Sequence, residues 1–263
     1  MTAPSPAIST RSLTKRYGQT TAVDSLNLAV PSGVVYGFLG SNRAGKTTTM
    51  WMLTGLVEPT NGDAFVAGTH CTERRYLVAG THCTERRYLV DHIGLLPEEP
   101  PLYIELTGRE QLQFAADLRD VPWERIEDSV LGLVESLDLL DDIDRRIDGY
   151  SKGMKQKTAF VQSVQHDPDV VFLDEPTSGL DPRAARTLRE LIVDLAAEDT
   201  TVFLSTHILP VVEEIADRVG VLYDGRLVSE GSPAELTAGV GGEADLEDAF
   251  LELTDDPATA WGQ

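Results

Sequence analysis

Residues 170–182, VVFLDEPTSGLDP, decide how this chain folds. Val170, Val171, Phe172 and Leu173 form an apolar run with no polar alternation, which reads as a strand buried on both faces of a sheet. Two adjacent carboxylates, Asp174 and Glu175, close the strand, and a Ser-Gly-Leu-Asp turn follows. Two acids side by side at a strand end suit nucleoside triphosphate hydrolysis. The first holds Mg²⁺ and the second polarises a water. Such chemistry needs a phosphate-binding half upstream. Gly40-Ser41-Asn42-Arg43-Ala44-Gly45-Lys46-Thr47 fits G-x-x-x-x-G-K-[ST]. Its glycines let backbone N–H groups face an anion at a helix N-terminus. Lys46 is expected to reach the β- and γ-phosphates, and Thr47 to ligate Mg²⁺ through its hydroxyl.

Around these motifs the chain alternates. Strand-like runs are AISTRSL from Ala7, TAVDSLNLAV from Thr21 and VVYGFLG ending at Gly40. The Gly-rich loop opens a helix through TTTMWML. EPTNGD reads as a turn, AFVAG as a short strand and HIGLLPE, around Ile93, as another. From Leu106 to His166 apolar residues recur at helical spacing, so an inserted α-helical subdomain is expected over about residues 100–166. DVVFLDE, TTVFLST, RVGVLYDG and RLVSEG then return as strands, with RAARTLRELIVDLAAE and ILPVVEEIADR as helices between them. This pattern predicts an α/β fold with a mostly parallel core sheet, a small antiparallel β region and the helical insertion. The main domain is expected over 1–240 and a short helical tail over 241–263.

AGTHCTERRYLV occurs at Ala67–Val78 and again, letter for letter, at Ala79–Val90. One extra copy is too short for a solenoid and reads as a tandem duplication. It also produces both cysteines, Cys71 and Cys83. His70, Cys71, His82 and Cys83 could pose as zinc ligands, but duplication alone explains the pairs. A disulfide has no support in a protein read as cytosolic.

That cytosolic reading rests on the absence of an apolar run of membrane-spanning length and of a signal pattern in MTAPSPAISTRS. The net charge of −21 argues against nucleic acid, whose phosphates this surface would repel. Lysine is scarce beside arginine, and the acids are spread along the whole chain. So large an imbalance points to a high-salt cytoplasm, such as a halophilic archaeon has, where a short Debye length screens the self-repulsion.

A further motif makes the reading specific. Tyr150-Ser151-Lys152-Gly153-Met154, followed by Lys155-Gln156, stands just upstream of Val170 and resembles the LSGGQ signature of ABC transporter ATP-binding subunits. The resemblance covers nearly the whole chain and implies a P-loop NTPase fold, with ATP and Mg²⁺ as cofactors. Under it, residues 40–47 and Thr48 bind nucleotide, and Thr47, Asp174 and Glu98 surround the metal. Glu175, His207 and Lys46 carry catalysis, with His207 as the switch histidine on the γ-phosphate. Tyr17 stands where the family stacks an aromatic ring on adenine. Ser151 and Gly153 match residues that contact the γ-phosphate held by a second subunit, which implies a head-to-tail dimer with ATP at the interface. Ser178, Gly179 and Asp181 match the loop crossing that interface. Departures are Glu98 in place of glutamine, Arg43 in place of glycine, and Tyr150, Lys152 and Met154 in the signature.

The function implied is the ATP-hydrolysing subunit of a transporter, peripheral on the inner face of the membrane and bound to a separate multi-pass permease. The signature variant and GLLPEE resemble the drug- and antibiotic-efflux type. A soluble ATPase of the same superfamily is the alternative, although the chain has neither tandem cassettes nor a coiled-coil insertion. A degenerate regulatory module would rest on Arg43 alone.

Removing one copy of the duplication restores about the family's spacing. The extra residues are expected to form a surface excursion, with TERRYLV lengthening a helix, because loop closure costs only ~0.6 kcal/mol per doubling of length. Deletion of Ala79–Val90 should therefore leave ATP turnover intact, and a deletion variant that fails to fold would refute this.

Overall fold

The computed structural model describes residues 6–71, 85–238 and 245–255. The chain opens with β1 (Ile8–Tyr17), β2 (Thr20–Leu26) and β3 (Ala29–Val30). The single strand expected over TAVDSLNLAV is thus two. Ser25 takes a left-handed φ of 53°, and the Asn27 side chain accepts from the Ser12 N–H at 2.9 Å and donates to the Ser25 carbonyl at 2.9 Å. That local satisfaction of the backbone breaks the ladder.

β4 (Val35–Gly40) leads into α1 (Lys46–Leu53), and β5 (Asn61–Val66) follows. Asn61, Gly62 and Asp63, read from sequence as part of a turn, belong to this strand. β1 recruits them, with Arg11 opposite Asp63 and Thr14 opposite Asn61. Ala67 and Gly68, both at positive φ, make a two-residue hairpin into β6 (Thr69–His70). Cys71 follows, with its thiol buried and pushed up to about 12. The first repeat copy therefore begins as a hairpin, whereas the end of the second forms α2 (Glu85–His92). The expected excursion falls on residues 72–84, outside the described residues, as do His82 and Cys83.

β7 (Ile93–Leu96) precedes the helical block of α3 (Gly108–Asp117), α4 (Trp123–Ser136) and α5 (Lys152–Val164). Thr107 starts α3 with a capping box completed by Glu110. The block shares a core with the sheet. Leu112, Val130, Val134, Ile143 and Phe160 join Leu39, Val171, Leu173 and Leu204 in one buried cluster. The rest is β8 (Val170–Asp174), α6 (Pro182–Ala197), β9 (Thr201–Thr206), α7 (Leu209–Ile215), β10 (Arg218–Tyr223), β11 (Arg226–Gly231), α8 (Pro233–Ala238) and α9 (Leu246–Asp255). In α9, Leu246 and Ala249 are buried, and Phe250 and Leu253 pack on the main core.

The large sheet has the order β11-β10-β4-β9-β8-β7, parallel except at β11. The small sheet, β2-β1-β5-β6 with β3 on β1, is antiparallel. Period-2 alternation divides the central strands between two cores. Tyr36, Phe38, Phe172 and Phe203 face α1 and the small sheet, while Val35, Leu39, Val171, Leu173, Val202 and Leu204 face the helical layer. Phe203 stacks on Tyr36 at 5.5 Å and lies 5.0 Å from Phe38 and 5.6 Å from Phe172. Among the described residues no helix is long and apolar enough to cross a membrane.

His166, just past α5, lies 3.0 Å from the Ile93 carbonyl through Nε2. A carbonyl only accepts, so Nε2 carries the proton, and the buried Nδ1 has no hydrogen-bond partner. Burial, with the Arg119 guanidinium nearby, pushes this imidazole down from 6.5 to about 4. The unfolded chain takes up its proton first. The stability present above pH 6.5 is therefore lost as pH falls toward 4, by up to about 3 kcal/mol. His166→Gln keeps a donor for Ile93 and should flatten the melting temperature between pH 7 and 5, as read by calorimetry. A variant that keeps the parental slope would assign the acid lability elsewhere.

Candidate active site

The C-terminal ends of three adjacent parallel strands, β4, β9 and β8, build the site, at the edge where open α/β sheets place ligands. Leu39 is in register with Thr206, and Ser205 with Asp174. The residues after these strands are thereby brought together although they are far apart in sequence.

From β4 the chain enters the loop at Gly40. Gly45 is the N-cap of α1 at φ 107°, and a Cβ there would lie 2.3 Å from the Ala22 carbonyl oxygen of β2. Lys46 is buried, and its Nζ donates to the carbonyls of Gly40 at 2.5 Å and Ser41 at 3.3 Å. Burial lowers its pKa, against the pull of Glu175, Asp174 and Glu98. The Thr47 hydroxyl donates to Asp174 Oδ2 at 3.0 Å. Burial raises the Asp174 carboxyl above its ordinary value, with Thr47 and Lys46 opposing. Thr48 is half-buried in the first turn of α1. Ser41, Asn42 and Arg43 are exposed, and Ala44 is buried under the loop. Arg43 takes φ 74°, the left-handed conformation that costs a residue with a Cβ about 1–2 kcal/mol.

Glu175 is also left-handed, at φ 49°, and is buried. Its carboxylate is held from three directions. Thr206 Oγ1 donates to Oε2 at 2.9 Å, the His207 N–H to Oε1 at 3.0 Å, and His207 Nδ1 lies 2.7 Å from Oε1. A carboxylate accepts, so this contact selects the tautomer or charge state with a proton on Nδ1. Glu98 is exposed and lines a cavity of about 240 Å³ with Thr47, Met50, Trp51, Leu95 and Asp174. Oxygen donors from Thr47, Asp174 and Glu98 thus border one space, a set that suits a hard cation such as Mg²⁺. Among the described residues no group of three or more His, Cys, Asp and Glu stands ready to hold a metal. Tyr17 is exposed at the tip of the β1–β2 hairpin, beside Lys15.

The signature segment forms a second group. Ser151 is the N-cap of α5, its hydroxyl accepting from the Met154 N–H at 3.2 Å. Gly153 has a reason within its own chain, since a Cβ there would lie 3.0 Å from the Gly179 carbonyl. Tyr150 is an anchor. It is buried and donates to the Asp142 carbonyl at 2.7 Å. Lys152 donates to Ser178 Oγ at 3.0 Å. Asp181 caps α6, accepting from the N–H groups of Arg183 and Ala184 at 3.0 Å each, and these bonds lower its pKa. None of the described hydrogen bonds joins Ser151 or Gly153 to Lys46 or Asp174.

Thr206 and Gln156 were not foreseen. A threonine ending a strand reads as β-propensity, and a glutamine in a helix reads as surface. Gln156 is instead fully buried. Thr206 could have been suspected only as the residue before His207.

The family described as "ABC transporter" matches residues 23–178. The chain is 38% identical over 231 residues to the bacitracin transport ATP-binding protein BcrA of Enterococcus faecalis, covering 87% of this chain and 70% of that protein. It is 37% identical over 240 residues to the daunorubicin/doxorubicin resistance ATP-binding protein DrrA of Streptomyces peucetius, covering 91% and 69%. A solved structure described as an ATP binding subunit of an ABC transporter superposes with TM-score 0.84 at 28% identity, over 94% of this chain and 99% of that one.

Arg43→Gly removes both the strain and a cation from the loop. ATP affinity should fall about 2–5-fold, the weight of one exposed charge, while thermal stability holds or rises. Isothermal titration and a melting curve check both. Unchanged affinity and turnover would show that the guanidinium takes no part.

Proposed function

The chain belongs to the ABC transporter ATP-binding family, and we propose that Lys46, Thr47, Asp174, Glu175 and His207 form the centre at which it hydrolyses ATP. The observation that carries this reading is the convergence at adjacent strand ends of two contacts, Thr47 with Asp174 and His207 with Glu175.

Each role follows from geometry and charge. Lys46 holds an ammonium in a buried position, where low dielectric makes its attraction for a phosphate far stronger than in water. Thr47, Asp174 and Glu98 would hold Mg²⁺, a set incomplete without phosphate and water oxygens, as is usual for that ion. When bound, Mg²⁺ neutralises charge on the phosphates. Glu175 accepts the proton of the attacking water. Thr206 and His207 fix its carboxylate in advance, so that little reorganisation is left for the reaction itself. Ser41, Asn42, Arg43, Ala44 and Thr48 complete the phosphate loop, and Tyr17, exposed on the hairpin, is available to stack on a base.

The signature at Ser151 and Gly153 supports a head-to-tail dimer in which each protomer closes the other's ATP site. Closure would work a separate multi-pass permease from the inner face of the membrane. The relatives' names, bacitracin transport and daunorubicin/doxorubicin resistance, favour export of antibiotic-like molecules.

Glu175→Gln keeps the size and one acceptor oxygen for His207 but removes the base. Mg-ATP hydrolysis in multimolar KCl should fall by at least about 100-fold, while ATP binding stays within about twofold. Turnover that persists in the variant would remove Glu175 from the mechanism.

A further inference from the structure

Glu175 combines a function that needs accuracy with a backbone that resists it. It sits at φ 49°, in a region that side-chain-bearing residues seldom adopt and that persists only where the surroundings over-determine it. Its carboxylate bonds to Thr206 and His207 fix the end of the side chain. Its main chain is fixed separately. The Glu175 N–H donates to the Ser205 carbonyl at 2.8 Å, and the Glu175 carbonyl accepts from the Ser178 N–H at 3.0 Å. One more tie comes from a different element. Gln156, in the second turn of α5 and 1% exposed, donates through Nε2 to the carbonyls of Glu175 at 3.3 Å and Pro176 at 3.2 Å.

We infer that Gln156 is a positioning residue for Glu175, coupling the signature helix to the base within one protomer. The inference rests on the assignment of Glu175 proposed above. Ser151 and Gly153 begin the same helix whose next turn carries Gln156. The contact is tight along its length. A Cβ at Gly153 would come within 3.0 Å of the Gly179 carbonyl, and Lys152 runs its stem over Gly179 to bond Ser178. A helix so joined to residues 175–179 cannot shift without moving the backbone of Glu175. The position of the signature is thereby transmitted to the carboxylate that acts on water. A buried amide whose two protons go to consecutive carbonyls has no packing reason to be glutamine, because methionine would fill the same volume.

The experiment compares the full chain with Gln156→Met, which keeps the volume and removes the donor. ATP turnover and equilibrium ATP binding are both measured. The expected result is a fall in kcat of about 10-fold, with KM and ATP affinity within about twofold of the parent, because ground-state binding does not pass through Glu175. Lys152→Met, at an exposed position outside the core, removes the outer tie and should lower kcat by about 2–5-fold with the same unchanged affinity. This variant decides the question if Gln156→Met does not fold. Turnover at the parental level in either folded variant overturns the inference. So does a parallel loss of affinity and kcat, which a merely structural role would give. Glu175→Gln separates the two readings. If it abolishes turnover while Gln156→Met does not change it, the coupling fails and the assignment of the base stands.

Discussion

The parallel register of β4, β9 and β8 is the constraint on which the rest depends. It sets Leu39 beside Thr206 and Ser205 beside Asp174. Strands buried on both faces need an apolar interior, and Val35–Leu39, Val202–Leu204 and Val170–Leu173 supply it. Polar side chains can then appear only where each strand leaves the core. Asp174 ends β8, Glu175 and His207 directly follow β8 and β9, and Lys46 follows the loop after β4, all on one edge of the sheet. Chemistry and core are thus separated along each strand, and the packing that stabilises one fixes the other.

That arrangement puts charges where water is scarce. Lys46, Asp174 and Glu175 are all buried, and burial moves Lys46 down and Asp174 up, in each case toward neutrality. They offset one another in part, and the loop carbonyls, Thr47, Thr206 and His207 provide hydrogen bonds. Under the proposed function, a polyphosphate with its cation would supply the charge this edge is shaped to receive. Removing one partner from so dry a cluster leaves another unpaired, which is why single substitutions here should cost far more than those on the acidic surface.

Much of this was legible in the sequence, for reasons that differ between residues. The phosphate loop and the acid pair are local patterns, and their strand and helix contexts are visible in the apolar periodicity. The helices of the 100–166 region follow from spacing, and the burial of VVFLD from its unbroken apolar run. What could not be read depends on contacts between distant segments. Asn61–Asp63 looks like a turn because Asn, Gly and Asp favour one, yet pairing with β1 makes it strand. TAVDSLNLAV looks continuous because its break comes from the side chain of Asn27 reaching Ser12. Thr206 and Gln156 act through partners 31 and 19 residues away, and the motifs beside them do not reveal those partners.

The departures from the family pattern sort by the same physics. Gly45 is required, because a Cβ would strike the Ala22 carbonyl, whereas Arg43 at φ 74° is strained but open to solvent. The loop therefore tolerates a side chain at one left-handed position and forbids it at the other, and the general motif specifies glycine only at the second. Tyr150 follows a similar rule, since its ring fills a buried site and its hydroxyl finds the Asp142 carbonyl. Of the described residues with a side chain at left-handed φ, Arg43 and Glu175 stand at the candidate site, one in the Gly40–Thr47 loop and one after β8. At Glu175 this conformation is held by bonds to two other segments, Gln156 of α5 and the run Ser205–His207 at the end of β9. At Arg43 the side chain is exposed, and the backbone is held on either side, by the turn from the Ala44 N–H to the Ser41 carbonyl and by the Gly225 N–H on the Ala44 carbonyl. The first is a constraint built into the core, and the second is a local substitution that the core can ignore.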